Sequence, residues 1–375
     1  MKITRLETVP LQQRGLLLVM HTDEGIQGLG SPMNYEHGRT VARAVEDMAD
    51  YLVGRDPRQV EDHWQTLFRS SYSRQMPILL AALSGIEMAC LDILGKSAGL
   101  PVWRLLGGSV RDRVRVYAGC GGATPEDAAD NARHAVERGF TALKTTPFPE
   151  PTRFLEPPAV IDAVVQRVGA IRQAVGPRID LAVDFHRAAS PAMAKVLLRE
   201  LEPFKLLFVE EPTHPENIDA LLEITRSTPI PIATGERNTT RWGFREIVEK
   251  KAAAILQPDI RHCGGILEMK KIAALAEPHY IALAPHSAAD PLGIVASLQA
   301  MAGTPNFLIQ EFGGGGGEGL FKDPLVFSEG HVELPQGPGL GVEIDREGLE
   351  ANRHRGPWRQ RTMRRHPADG SFADF

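Results

Sequence analysis

Between Asp184 and Glu311 short runs of β-prone apolar residues recur, and each ends at once in an acid or an imidazole. The runs are LAVDFH (Asp184, His186), LLFVEEP (Glu210, Glu211), PIATGER (Glu236), AILQPDI (Asp259), IALAPHS (His286) and FLIQEF (Glu311). Runs this short and this apolar suit parallel strands buried on both faces. A polar group directly after such a strand is delivered to the carboxyl end of the sheet, where α/β proteins build their sites. Two intervals are equal, 210 − 184 = 26 and 236 − 210 = 26. One carboxylate per regular period is hard to explain as surface decoration.

Helical text separates the runs. From Arg113 onward the order is strand, loop, helix, repeated, starting with VRVYAGC and FTALKTT and ending at FLIQEF. Eight strands with helices between them predict a closed α/β barrel of TIM type rather than an open doubly wound sheet. No GxGxxG follows the first strand, so a dinucleotide fold has no support. The glycine run Gly313–Gly319 lacks a lysine-serine ending and reads as a rim connection. Ahead of the barrel, residues 1–40 read as a β-meander, followed by amphipathic helices and the apolar segment MPILLAALSGIEMACLDILGKSAG, predicted to be a buried helix. The expected division is an α+β capping domain over 1–113, the catalytic barrel over 114–338, and a segment over 339–375 that packs back on the cap. Trp358 and Phe372 are the expected anchors of that arginine-rich tail.

Composition narrows the function. A net charge of −5 gives no reason to expect nucleic acid or a membrane surface as partner. The N-terminus lacks a signal-peptide core, and no run reads as a membrane span. Cys90, Cys120 and Cys263 are odd in number and lack metal-ligand spacing, which points to a reducing, cytoplasmic compartment.

Asp184, Glu210 and Glu236 come from three successive strands and should converge on one side of the barrel mouth. Three unshielded carboxylates repel one another, so a positive charge belongs among them. An all-oxygen set suits a hard ion such as Mg²⁺. Rim acids paired with Arg237, Arg261 or Lys144 would explain any one of them, but three at this spacing favour a metal. His286 ends the strand after Asp259, and a carboxylate beside an imidazole makes it a competent base. His186, two residues past Asp184, is expected on the same strand face, as a metal ligand or, more in keeping with an oxygen-only site, as an acid. Glu311 is placed to hydrogen-bond His286 or a developing oxyanion, and Glu211 to support its neighbours.

These motifs, DFH, EEP, GER, QPDI and APH in this order and spacing, resemble the enolase superfamily in its mandelate racemase subgroup, and the likeness covers almost the whole chain. Within the subgroup the chain is similar to acid-sugar dehydratases of the galactonate dehydratase type. The resemblance implies a modified (β/α)7β barrel with a mixed cap, Mg²⁺ on Asp184, Glu210 and Glu236, and a homo-oligomer. It also implies a histidine acid at His186, a His286–Asp259 dyad and a glutamate at Glu311. The expected reaction is β-elimination of water from a sugar acid, with His286 taking the α-proton and a 2-keto-3-deoxy acid as product.

The chain departs from the family text in three places. Lys144-Thr145-Thr146 stands where racemases and cycloisomerases carry Lys-x-Lys, which argues for elimination over racemisation. Arg187-Ala188-Ala189 replaces a glycine-containing run, and the loop SAADPLG after His286 also differs. Substrate contacts are expected from Lys144, His214, Asn34, Tyr35, His37 and Arg74, the last four in segments that would cover the mouth. An epimerase, a cycloisomerase or a binding protein with a decayed site are the alternatives.

Overall fold

The computed structural model describes residues 1–12, 15–32, 37–148, 157–187, 189–287, 290–313, 315–356, 364–366 and 369–373. An antiparallel meander opens the chain: β1 (Ile3–Pro10), β2 (Leu16–Thr22) and β3 (Gln27–Gly30). Helices α1 (Gly38–Leu52), α2 (Val60–Ser70) and α3 (Pro77–Ala98) pack on it, and the single turn α4 (Val102–Leu105) leads out of the cap. Among the described residues α3 is the one helix long and apolar enough to cross a membrane, which corrects the reading that no run approaches a span. Burial accounts for its composition, since 83% of its apolar window lies inside the protein. The sheet approaches it closely: a Cβ on Gly30 would stand 2.0 Å from the Gly85 carbonyl oxygen.

The barrel strands follow in order: β4 (Arg113–Gly119), β5 (Ala142–Thr145), β6 (Asp180–Asp184), β7 (Val209–Glu210), β8 (Ile232–Thr234), β9 (Ile255–Leu256), β10 (Ala282–Leu283) and β11 (Gln310–Glu311). Between them lie α5 (Pro125–Glu137), α6 (Pro158–Val175), α7 (Pro191–Leu201), α8 (Ile218–Thr225), α9 (Thr240–Lys250), α10 (Ile266–Ala276) and α11 (Pro291–Met301). Neighbours from β4 to β10 pair in parallel, and β11 pairs back onto β4 through Gln310 and Val116. The seam between β10 and β11 is closed by Leu308 N–H donating to the Leu283 carbonyl at 2.8 Å. Among the described residues this is eight strands and seven helices, the (β/α)7β order.

Each strand run contributes one residue to the barrel interior: Tyr117, Ala142, Ala182, Phe208, Ala233, Ile255, Ala284 and Ile309. Mixed large and small side chains fill the closed sheet, so its floor is packed and only the carboxyl rim is open to chemistry. Several βα loops end in a polar cap: Thr124 forms a capping box with Asp127, and Ser190, Asn217 and Asp290 accept from the first-turn amides of α7, α8 and α11. Proline at the first turn of α5, α7 and α11 pre-sets the helical φ.

Past the barrel, β12 (Phe327–Ser328) and β13 (His331–Glu333) form a hairpin whose second strand pairs antiparallel with β4. The chain then returns over the cap. Leu340 N–H donates to buried Asp92 Oδ1 at 2.7 Å and, beyond α12 (Arg346–Asn352), His354 N–H donates to the Pro10 carbonyl at 2.9 Å. At the tail Phe372 is 66% exposed, with the Arg365 guanidinium 3.9 Å above its ring, so it is not a buried anchor. Trp358 lies outside the described residues.

Candidate active site

Asp184 and Glu210 are the last residues of β6 and β7 and stand directly opposite in the parallel register. Glu236 lies two residues past β8, beyond Gly235. That glycine has φ +127° and a Cβ there would come 2.5 Å from the Phe244 ring. Glu211 holds this turn, its Oε1 accepting from Thr234 Oγ1 at 2.6 Å and from Gly235 N–H at 3.0 Å. The sequence thus turns three strand ends into one buried acidic rim, with Glu210 fully enclosed.

Burial dominates the electrostatics. It pushes Asp184 up to about 7, Glu210 to about 8 and Glu211 to about 7, so local positive charge does not satisfy them. Burial acts the same way on Glu236, but His286, Arg187 and His186 outweigh it and bring that carboxyl down to about 2. Lys144, at the end of β5, donates to both Glu210 oxygens at 2.9 and 2.8 Å and lies 3.0 Å from Glu311 Oε1. Gln257 adds a 2.7 Å bond to Glu210 Oε2, while its own Oε1 is buried with no partner among the described residues.

As placed, no three His, Cys, Asp or Glu side chains among the described residues surround one point closely enough to hold a metal ion. Lys144 stands against Glu210 and Arg187 against Glu236 instead. The donor chemistry nevertheless fits a hard divalent ion. The three acids are oxygen-only and come from adjacent strand ends, and burial raises two of them despite the nearby Lys144 ammonium, a rise that a bound cation would offset.

His286 and Asp259 meet across a parallel bridge, with Nδ1 2.8 Å from Asp259 Oδ2. Arg261 closes on the other side of that carboxylate, Nε to Oδ1 at 2.9 Å and Nη2 to Oδ2. Burial would raise Asp259, yet Arg261 and His286 hold it well below the usual carboxylate range. An ionised Asp259 accepts, so Nδ1 carries a proton, and in the neutral form of the imidazole the lone pair falls on Nε2. That atom lies 3.6 Å from Glu236 Oε2 and 3.7 Å from Glu311 Oε2. Glu311 Oε2 also accepts from Ser287 N–H at 2.8 Å.

His186 does not share a strand face with Asp184. β6 stops at Asp184, whose Oδ1 accepts the His186 N–H at 2.7 Å, and the chain turns there with His186 at φ +52° and Arg187 at φ +65°. The imidazole still comes near enough to Glu236 to lower it. His214 is half-buried, 3.8 Å from Glu216, while His37 and Arg74 are exposed. Asn34 and Tyr35 lie outside the described residues. The sequence did not mark Gln257 or Arg187 as part of the rim. Gln257 sits two residues before Asp259 in the same run, a period-2 signal that could have found it.

Residues 4–107 match the mandelate racemase/muconate lactonizing enzyme N-terminal domain, and residues 127–348 match the enolase C-terminal domain-like family. The chain is 41% identical to a D-galactonate dehydratase of Variovorax paradoxus, over an alignment of 385 residues that covers all of both proteins. It is also 38% identical to a D-galactonate dehydratase of Pectobacterium atrosepticum, again over both full lengths. Among solved structures, a mandelate racemase/muconate lactonizing enzyme-like protein from Rubrobacter xylanophilus superposes with a TM-score of 0.90 at 37% identity, covering 94% of this chain and 98% of that one. The match of both domains and the identity over the whole length make this chain a member of the mandelate racemase/muconate lactonizing enzyme family of the enolase superfamily.

Proposed function

We propose that the protein is a Mg²⁺-dependent hydro-lyase that removes water from a sugar acid to give a 2-keto-3-deoxy acid. The observation that carries this reading is the His286–Asp259–Arg261 chain, which holds the imidazole by Nδ1 and leaves Nε2 facing Glu236 and Glu311 at 3.6 and 3.7 Å. Asp184, Glu210 and Glu236 would hold the ion. When bound, it supplies Lewis-acid stabilisation for the charge that gathers on the substrate carboxylate as the α-proton leaves.

The chain's own residues do the proton work. His286 takes the α-proton at Nε2, while Asp259 stabilises the imidazolium and Arg261 fixes Asp259. His186 protonates the departing β-hydroxyl, because a hydroxide is too poor a leaving group to depart alone. Glu311, fixed by Ser287 and Lys144, borders the base. Elimination is favoured over racemisation because β5 offers no second base: Thr146 is not ionisable, and Lys144 is engaged by Glu210 and Glu311. The full-length relatives named D-galactonate dehydratase support a sugar-acid substrate. Three buried free thiols support a reducing cytoplasm, and the family resemblance supports a homo-oligomer.

The test is a panel of aldonic, uronic and aldaric acids incubated with enzyme and Mg²⁺ and assayed for keto-acid. Keto-acid from at least one acid, dependent on both Mg²⁺ and His286, is expected. No product from any member, with Mg²⁺ leaving thermal stability unchanged, would instead indicate a decayed site.

A further inference from the structure

Arg187 is buried at the heart of the rim, only 2% exposed. It is the second of two consecutive non-glycine residues in the left-handed region, a conformation that costs about 1 kcal/mol each and persists only where the surroundings enforce it. Its amide is held by the Glu211 carbonyl at 2.9 Å, and its Nη1 donates to Glu236 Oε1. A guanidinium cannot shed its charge by losing a proton near neutrality. Glu236 therefore carries a fixed cation on one of its oxygens, while Glu210 carries the Lys144 ammonium.

A divalent ion shared by Asp184, Glu210 and Glu236 would need electron density that Arg187 now draws on, and the guanidinium paired with Glu236 would repel it. In a buried site that repulsion is weakly screened. We propose that Arg187 is a resident counter-cation which competes with the divalent ion for Glu236, so that this site binds its metal more weakly than its three acids alone would. The inference rests on the reading of Asp184, Glu210 and Glu236 as ligands. In exchange, Glu236 has a counter-charge before the ion arrives, and the turn bearing His186 is tied to the segment that follows β8.

Calorimetric titration of Mg²⁺ into chelator-treated protein tests this without reference to activity. Arg187→Gly is suited to the left-handed backbone and should bind Mg²⁺ about ten-fold or more tightly than the wild type, whereas Arg187→Lys, which keeps the charge, should stay within about three-fold. Circular dichroism melts confirm that each variant is folded. The gain should shrink when Glu236→Gln is added, because the guanidinium's repulsion remains while the competition for the Glu236 carboxylate is gone; a gain undiminished in that background overturns the competition. Binding by wild type with equal or weaker binding by Arg187→Gly overturns the competition and leaves the ligand assignment standing. Binding by neither overturns both.

Discussion

Asp259 carries two duties at once, since the same carboxylate fixes the His286 tautomer and compensates the buried Arg261 charge. Asp259→Asn should therefore lower kcat by roughly 10³, the scale expected when a general base is left in the wrong tautomer. Steady-state kinetics on an accepted sugar acid checks this. Arg261→Met should act on stability instead: it leaves a buried carboxylate short of a partner, at a cost of about 3 kcal/mol in urea unfolding. An unchanged midpoint would show that Arg261 does not compensate Asp259. The rim acids and His286 were legible in the sequence because each follows a strand-like run, whereas His186 stands in the left-handed turn past β6, off the strand face expected for it. Arg187, Gln257 and the two-sided grip of Arg261 were not legible. Their contacts depend on side-chain reach and, for Arg187, on a left-handed turn that its sequence does not announce.

Helix α10 starts after Gly264 and Gly265, neither of which offers a side-chain cap. The cap is supplied from α3 instead, where Glu87 accepts from Ile266 N–H and Leu267 N–H, both at 2.8 Å. No local reading of either segment contains this pairing of residues nearly 180 positions apart. Burial pushes the Glu87 carboxyl up to about 8 despite those two amides, against 4.5 for an unperturbed glutamate. Between the two values the unfolded chain has lost a proton that the folded protein keeps. The contribution is thus complete below the unfolded value and declines as pH rises towards the folded one, by at most about 1.4 kcal/mol per pH unit. Urea unfolding at pH 5 and pH 8 should show the wild type losing more stability than Glu87→Gln. Equal losses would mean that Glu87 is ionised in the folded protein throughout. At this scale the eight strands and the barrel helices were readable from period and punctuation. The burial of α3 was readable as well, from apolar residues on nearly all of its faces.

Cap and barrel meet through side chains that cross between them: Trp64 Nε1 donates to the Gly264 carbonyl at 2.8 Å, Ser84 Oγ accepts from Gly264 N–H at 3.0 Å, and Ser31 donates to Asp290. Ser31 lies just before the segment expected to cover the mouth and Asp290 within the loop that follows His286, so loss of the hydroxyl should loosen substrate binding more than chemistry. Ser31→Ala is expected to raise KM several-fold with kcat little changed. At molecular scale, a divalent ion bound only by the folded rim must also stabilise the whole fold, by about 2.7 kcal/mol at a hundred times its Kd. Thermal melts should show that shift with Mg²⁺ in the wild type and its loss in Glu210→Gln. The central claim, that His286 removes the α-proton and His186 completes the elimination, is tested most directly by proton NMR of an accepted sugar acid in D₂O with Mg²⁺. Wild type should form keto-acid, His186→Asn should exchange the α-proton for deuterium without losing water, and His286→Asn should do neither. Exchange at the wild-type rate in His286→Asn would contradict the assignment of the base.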